Sequence, residues 1–131
     1  MPDPVRVTWR ELVVLDLATE DEYWLNEVQA DEVIRATLPK MVRAGSIEIR
    51  EDGQLIDRER AQSLLVDGAS WLSPAISFYA TQSGRDRYFG LSSGQMAELW
   101  RDAVNAGYPS AVGRLAPFTR ERSSHGDPGE L

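Results

Sequence analysis

Apolar residues recur first at helical spacing and then at alternate positions, so the chain reads as a helical beginning followed by mixed structure. Two prolines within Met1–Val7 mark an extended lead-in. Thr8 followed by Glu11 is a capping box that opens the run WRELVVLDLA, and its nearly unbroken apolar character places Trp9, Leu12, Val13, Val14, Leu15 and Leu17 in the core. The chain then turns near Thr19–Asp21. Tyr23, Trp24, Leu25 and Val28 suggest a second short helix over Glu22–Gln29. Asp31 caps a third, with Val33, Ile34, Leu38, Met41 and Val42 on one stripe and Gly45 at the left-handed C-terminal position. Pro39 inside that stripe removes a helical hydrogen bond, at a cost of about 3 kcal/mol, so the third helix is expected to be one bent element.

After Gly45 the period becomes two. Ile47 and Ile49 are expected to point inward and Glu48 and Arg50 outward, with Asp52-Gly53 as a tight turn and Gln54–Ile56 as a return strand. Asp57 caps an amphipathic helix, RERAQSLLVDG, carrying Ala61, Leu64 and Leu65 and closing at Gly68, and Trp71 and Pro74 anchor the loop beyond it. Ile76, Phe78 and Ala80 alternate with Ser77, Tyr79 and Thr81 as a second major strand, and Thr81 caps QSGRDRYFG. Ser92 and Gln95 form another capping box, opening a helix with Met96, Leu99, Trp100 and Val104 on one stripe that stops at Gly107. Periodicity fades after Tyr108. The expected organisation is one domain over residues 1–112 and a flexible polar tail over 113–131, most evident from Arg120 onward.

Length and composition narrow the classes. A chain of 131 residues with 42% apolar and 27% charged residues supports one soluble globular core. The absence of cysteine excludes disulfides, thiolate metal sites and a cysteine nucleophile. The first residues lack a basic segment followed by an apolar one, and no long apolar window follows, so a cytoplasmic location without membrane attachment is expected.

The formal charge of −7 arises from 14 Lys+Arg and 21 Asp+Glu, and the excess lies entirely in residues 1–34, where nine acids face two bases. Such a segment repels phosphate and suits a solvated face, a docking surface for a basic protein, or a mimic of phosphate. Glu20, Asp21, Glu22 and Glu27, with Trp24 among them, are the candidate protein-binding residues. The opposite candidates are Arg35, Lys40, Arg43, Arg50, Arg85 and Arg87, which serve phosphate binding if they converge on one face. Glu48, Glu51, Asp52 and Asp86 interleave with them and point instead to separate ion pairs. Trp9 and Trp100 are assigned to the core, and Trp24 and Trp71 are the candidates for an exposed anchor.

Catalytic and metal chemistry find no support. His125 stands alone among the last residues, the acids lack calcium-loop spacing, and the serines have neither a partner histidine nor a G-x-S-x-G elbow. No catalytic, metal or cofactor residue is assigned.

Two stretches carry a resemblance. DEVIRATLPKMVRAGSIEI (Asp31–Ile49) resembles the third helix of a winged helix-turn-helix domain running into its first wing strand, and FYATQSGRDRY (Phe78–Tyr88) resembles the second wing strand entering a C-terminal helix. The segment Leu64–Trp71 is also similar to the "LLxDxxSW" of small actinobacterial proteins, which brings no activity with it. The winged helix-turn-helix domains of bacterial regulators imply an α+β fold: a helical core, a small antiparallel sheet, here a helix inserted between the wing strands (Asp57–Gly68), and an extra C-terminal helix. Two readings follow. The first is a non-enzymatic regulatory or adaptor module that binds protein through the acidic helices. The alternative is a DNA-binding regulator using Arg35, Lys40, Arg43, Arg85 and Arg87, and a homodimer through the N- and C-terminal helices suits either. The acids Asp31 and Glu32 at the start of the third helix, Pro39 within it and the insertion all depart from the DNA-binding pattern. A third reading is a small-molecule-sensing domain with an aromatic pocket.

Overall fold

A computed structural model describes the backbone of residues 6–126 and the side chains of residues 6–118. The chain divides into two compact units, one ending at Gly90 and one starting at Leu91, where a single domain to residue 112 is expected from the sequence.

In the first unit, α1 (Trp9–Glu20) starts where the sequence places it. Thr8 Oγ1 accepts the Glu11 N–H at 3.2 Å and Glu11 Oε1 accepts the Thr8 N–H at 3.0 Å. Leu12–Asp16 are all buried, which makes α1 the centre of the core. The expected second helix is not one: Tyr23–Trp24 form a two-residue strand, β1, followed by a single 3-10 turn over Leu25–Glu27. The reason is tertiary. Tyr23 pairs with Phe78 and Trp24 with Ser77 in an antiparallel ladder, and that pairing overrides the local helical spacing.

Helix α2 (Glu32–Arg43) is capped by Asp31 and contains Pro39 as a single element. It ends in a Schellman motif at Gly45, whose φ of +83° only glycine adopts cheaply, with the Ser46 N–H donating to the Met41 carbonyl. Strand β2 (Ile47–Glu51) turns at Asp52-Gly53, both at positive φ as a type I′ hairpin requires, into β3 (Gln54–Leu55). The insertion continues with α3 (Arg58–Val66), capped by Asp57, and a 3-10 segment over Gly68–Leu72. Strand β4 (Ile76–Ala80) then enters α4 (Gln82–Phe89), capped by Thr81.

The sheet is antiparallel throughout in the order β1-β4-β2-β3. With α1 before β1 and α2 before β2, this is a winged-helix-like α+β arrangement, with β3 and α3 inserted between the two long strands. Ile47, Ile49, Ile76, Phe78 and Ala80 are buried beneath α1, α2 and α4. Each of the isoleucine and phenylalanine side chains contributes on the order of 2 kcal/mol through burial. Glu48 and Arg50 lie half-buried on the other face, as their alternation implies, but Ser77 departs from it: it is fully buried and donates to Glu22 Oε2.

The second unit contains α5 (Ser93–Asn105) and α6 (Ala111–Gly126), which pack against each other. The Ser92–Gln95 capping box is present, and α5 ends in a second Schellman motif at Gly107. Trp100 is buried together with Ala97 and Ala103, whereas Met96, Leu99 and Val104 are half-buried. Much of the span expected to be a polar tail is helical, since α6 covers it through Gly126; residues 127–131 lie outside the described residues. Among the described residues, no helix is long and apolar enough to cross a membrane.

Candidate functional site

The acidic candidates surround edge strand β1. Glu20 and Asp21 are exposed at the end of α1, and Asp21 Oδ1 accepts the Glu22 N–H at 2.7 Å. Glu22 is half-buried, its carboxylate tied to Ser77. Glu27 is exposed, with Oε1 accepting the Trp24 N–H at 3.3 Å, and Trp24 itself is half-buried. The five residues predicted from sequence therefore fall within one short stretch of surface, but on a strand and a 3-10 turn instead of a helix. Glu20, Asp21 and Glu27 are the exposed acids of this stretch. Asp21, Glu22 and Glu27 also serve the local fold.

The cations predicted as phosphate contacts do not form one strip. Arg35 is exposed, donates to the Gln29 carbonyl at 3.2 Å, and holds its guanidinium 5.1 Å from the centre of the Trp71 ring. Arg43 donates to Gln62 Oε1 at 3.4 Å, and Gln62 in turn donates to the Pro39 carbonyl at 2.9 Å. Both Gln62 and Trp71 belong to the insertion, so α3 and the 3-10 segment after it engage α2 along Arg35, Pro39 and Arg43. Lys40 is exposed and, among the described residues, has no polar partner.

Arg85 and Arg50 lie elsewhere, each 5.6 Å from the centre of the Tyr79 ring on the outer face of the sheet. Arg85 also donates to Tyr79 Oη at 2.6 Å, and Arg50 pairs with Glu48 at 3.0 Å. Arg87 faces the helical core, where it pairs with Glu11 at 3.3 Å and donates to Ser46 Oγ at 3.1 Å. Its side chain is only 18% exposed, which removes it from any phosphate-binding set. Glu51 is occupied by Arg60 at 3.2 Å. Separate ion pairs thus account for several of these charges.

The tryptophans also divide differently from expectation. Trp71 is 1% exposed, its indole N–H donating to the Leu65 carbonyl at 2.9 Å, so it is a core anchor of the insertion and not an exposed contact. Trp100 is buried as expected, and Trp9 is only half-buried, with the Arg10 guanidinium 4.6 Å above its ring. Sequence reading missed Gln62 and Trp71 as partners of α2, because they lie 19 or more residues away from the side chains they touch and no local pattern signals the contact.

Among the described residues, no group of three or more histidines, cysteines, aspartates or glutamates is placed to hold a metal ion; the His125 side chain lies outside those described. The chain matches no protein-family model, no curated protein and no solved structure.

Proposed function

We propose that the chain is a non-enzymatic winged-helix-like module that works by binding another protein, with the acidic surface around β1 as its contact face and a basic patch on the partner. One observation carries the preference over DNA: the inserted α3 and Trp71 engage α2 through Pro39, Arg43 and Arg35. A recognition helix must enter the major groove with its outward side chains free, and duplex affinity depends on several phosphate contacts made together. Here Lys40 is the one predicted cation of α2 without such an engagement. By contrast, Glu20 and Asp21 project from the end of α1 next to the half-buried Trp24, a charge and aromatic combination suited to a protein contact.

Two measurements test this reading. Fluorescence anisotropy with random duplex DNA at low salt is expected to give no saturable binding, and affinity that falls steeply as salt rises would favour the DNA alternative. A photo-crosslinking residue placed at Glu20 is expected to capture a protein in cells where the same residue at Lys40 does not, and Glu20→Lys with Asp21→Lys is expected to abolish that capture. Capture that survives charge reversal sinks the acidic contact face.

A further inference from the structure

Helices α1, α2 and α4 cover one side of the sheet, that of Ile47, Ile49, Ile76, Phe78 and Ala80. Among the described residues of the first unit, no helix covers the other side. Strand register sets its side chains in two rows. Trp24, Ser77, Arg50 and Leu55 stand side by side in the first row, and Tyr79 and Glu48 in the second. Glu22, next to Tyr23, closes the second row at the β1 end, and its carboxylate accepts the Ser77 hydroxyl. From α4, the Arg85 guanidinium lies 5.6 Å from the centre of the Tyr79 ring and 5.9 Å from that of Phe89.

Composition and charge point to the occupant. Trp, Tyr, Phe and Arg are the types enriched at the centres of protein interfaces, and two apolar side chains at the margins, Leu55 and Phe89, are 65% and 64% exposed. The cations Arg50 and Arg85 are matched by the carboxylates of Glu22 and Glu48. A face of balanced charge attracts neither a polyanion nor a strongly basic segment, whereas both signs together complement a second copy of the same face. The rows are arranged for this. A two-fold axis across the strands, midway between the rows, lays the first row of one copy on the second row of the other. Arg50 of each copy then stands over Glu48 of the other, and the small Ser77 lies under the Tyr79 ring. Helix α1, where the sequence suggests a dimer contact, has little apolar surface to offer, because Leu12–Leu15 are buried in the core. Strand spacing and rise give a face of roughly 20 by 17 Å. With Arg85 and Phe89 it offers on the order of 500 Å² per copy, below the ~800 Å² of a standard stable interface, so association through it is weak and reversible.

We infer that two copies of the chain associate through the outer faces of their sheets, with Tyr79 and Ser77 at the centre and Arg50 of each copy paired with Glu48 of the other. The inference does not rest on the acidic contact face above, since Glu20 and Asp21 stand in neither row.

Sedimentation equilibrium of the full chain at low salt is expected to give a reversible monomer–dimer equilibrium with a dissociation constant on the order of 100 µM. Glu48→Arg alone and Arg50→Glu alone set like charges across the axis, and each is expected to weaken association about tenfold or more. Within one copy the two residues form a partly exposed pair, so neither reversal unfolds the sheet. Mixed in equal amounts, the two variants restore opposite charges at both contacts, and the mixture is expected to dimerise as the parent does. The double variant, Glu48→Arg with Arg50→Glu, keeps the pair within each copy as well as those between copies. It is expected to match the parent, which separates contact from folding. Glu20→Lys with Asp21→Lys is expected to leave the dimer unchanged. A chain that stays monomeric at millimolar concentration overturns the inference and leaves the face to another occupant. A dimer that survives both single reversals overturns it too, as does a mixture or a double variant that fails to associate. Loss of the dimer on reversing Glu20 and Asp21 would move the contact to the acidic surface and have the same consequence.

Discussion

The seam between α1 and α4 and the outward side of α2 contain similar residues in opposite circumstances. At the seam, Arg87 is mostly buried against Glu11 and Ser46, Tyr88 donates to Asp16 Oδ1 at 2.9 Å, and Gly84 lies directly under the Ser46 carbonyl. On α2, Arg35, Lys40 and Arg43 are all exposed. A cation in the first region is part of the framework, whereas one in the second touches its neighbours from solvent. The difference teaches that a list of basic residues says little about phosphate binding until burial separates those that hold the fold from those that face outward.

The largest expected effect comes from the seam. A Cβ at residue 84 would stand 2.1 Å from the Ser46 carbonyl oxygen, which also accepts the Thr81 N–H at 3.0 Å. The obstacle is backbone, so no side-chain rotation relieves it. Gly84→Ala is expected to cost about 3 kcal/mol, read as a lowered midpoint in urea denaturation. A loss near zero would mean that α4 is free to move away from the loop after α2, and the seam would no longer count as rigid.

Arg87→Met comes next. Fully buried pairs lose about 3 to 5 kcal/mol when broken and exposed ones under about 1, so at 18% and 21% side-chain exposure a loss of about 2 kcal/mol is expected. Combining it with Glu11→Gln sharpens the comparison, because glutamine retains the capping contact to Thr8 while losing the charge. The cycle is expected to show a coupling of about 1 kcal/mol between the two positions. Additive losses would reassign the effect of Arg87 to packing of its stem.

The local signals in the sequence survive in the structure. Thr8 with Glu11, Asp31, Asp57, Thr81 and Ser92 with Gln95 all cap helices as read, since a cap involves only neighbours three positions apart. The alternation of Ile47 and Ile49 and the glycine stop at Gly45 were equally legible. Contacts distant in sequence were not. The pairing of Tyr23 with Phe78 turned an expected helix into a strand, and the hydroxyl of Ser77 found Glu22 fifty-five residues away. Of the candidate surface, the acidic stretch could be located because its members are consecutive. The engagement of α2 by Gln62 and Trp71 could not, because nothing in the spacing of the insertion reveals the face it presents.

A smaller seam effect is expected from Tyr88→Phe, which deletes the hydroxyl donated to Asp16, a carboxylate that is 7% exposed. Loss of one hydrogen bond to a charged and buried acceptor is expected to cost about 1.5 kcal/mol in the same denaturation experiment. A cost under about 0.5 kcal/mol would mean that other interactions of Asp16 carry its burial.

The smallest effects belong to α2, and they divide the comparison most finely. Arg35→Ala removes a guanidinium stacked on the Trp71 ring and a bond to the Gln29 carbonyl, both at an exposed position. It is expected to cost about 0.5 to 1 kcal/mol. Lys40→Ala removes a solvated ammonium and is expected to stay within about 0.5 kcal/mol of the parent. If Arg35→Ala instead matches Arg87→Met, the insertion is fastened to α2 as firmly as α4 is to α1, and α2 belongs to the framework. If Arg35→Ala and Lys40→Ala are both silent, the insertion rests on α2 without restraining it, and the outward cations of α2 are free to meet phosphate. An intermediate cost for Arg35 beside a silent Lys40 is what a surface contact of the insertion requires.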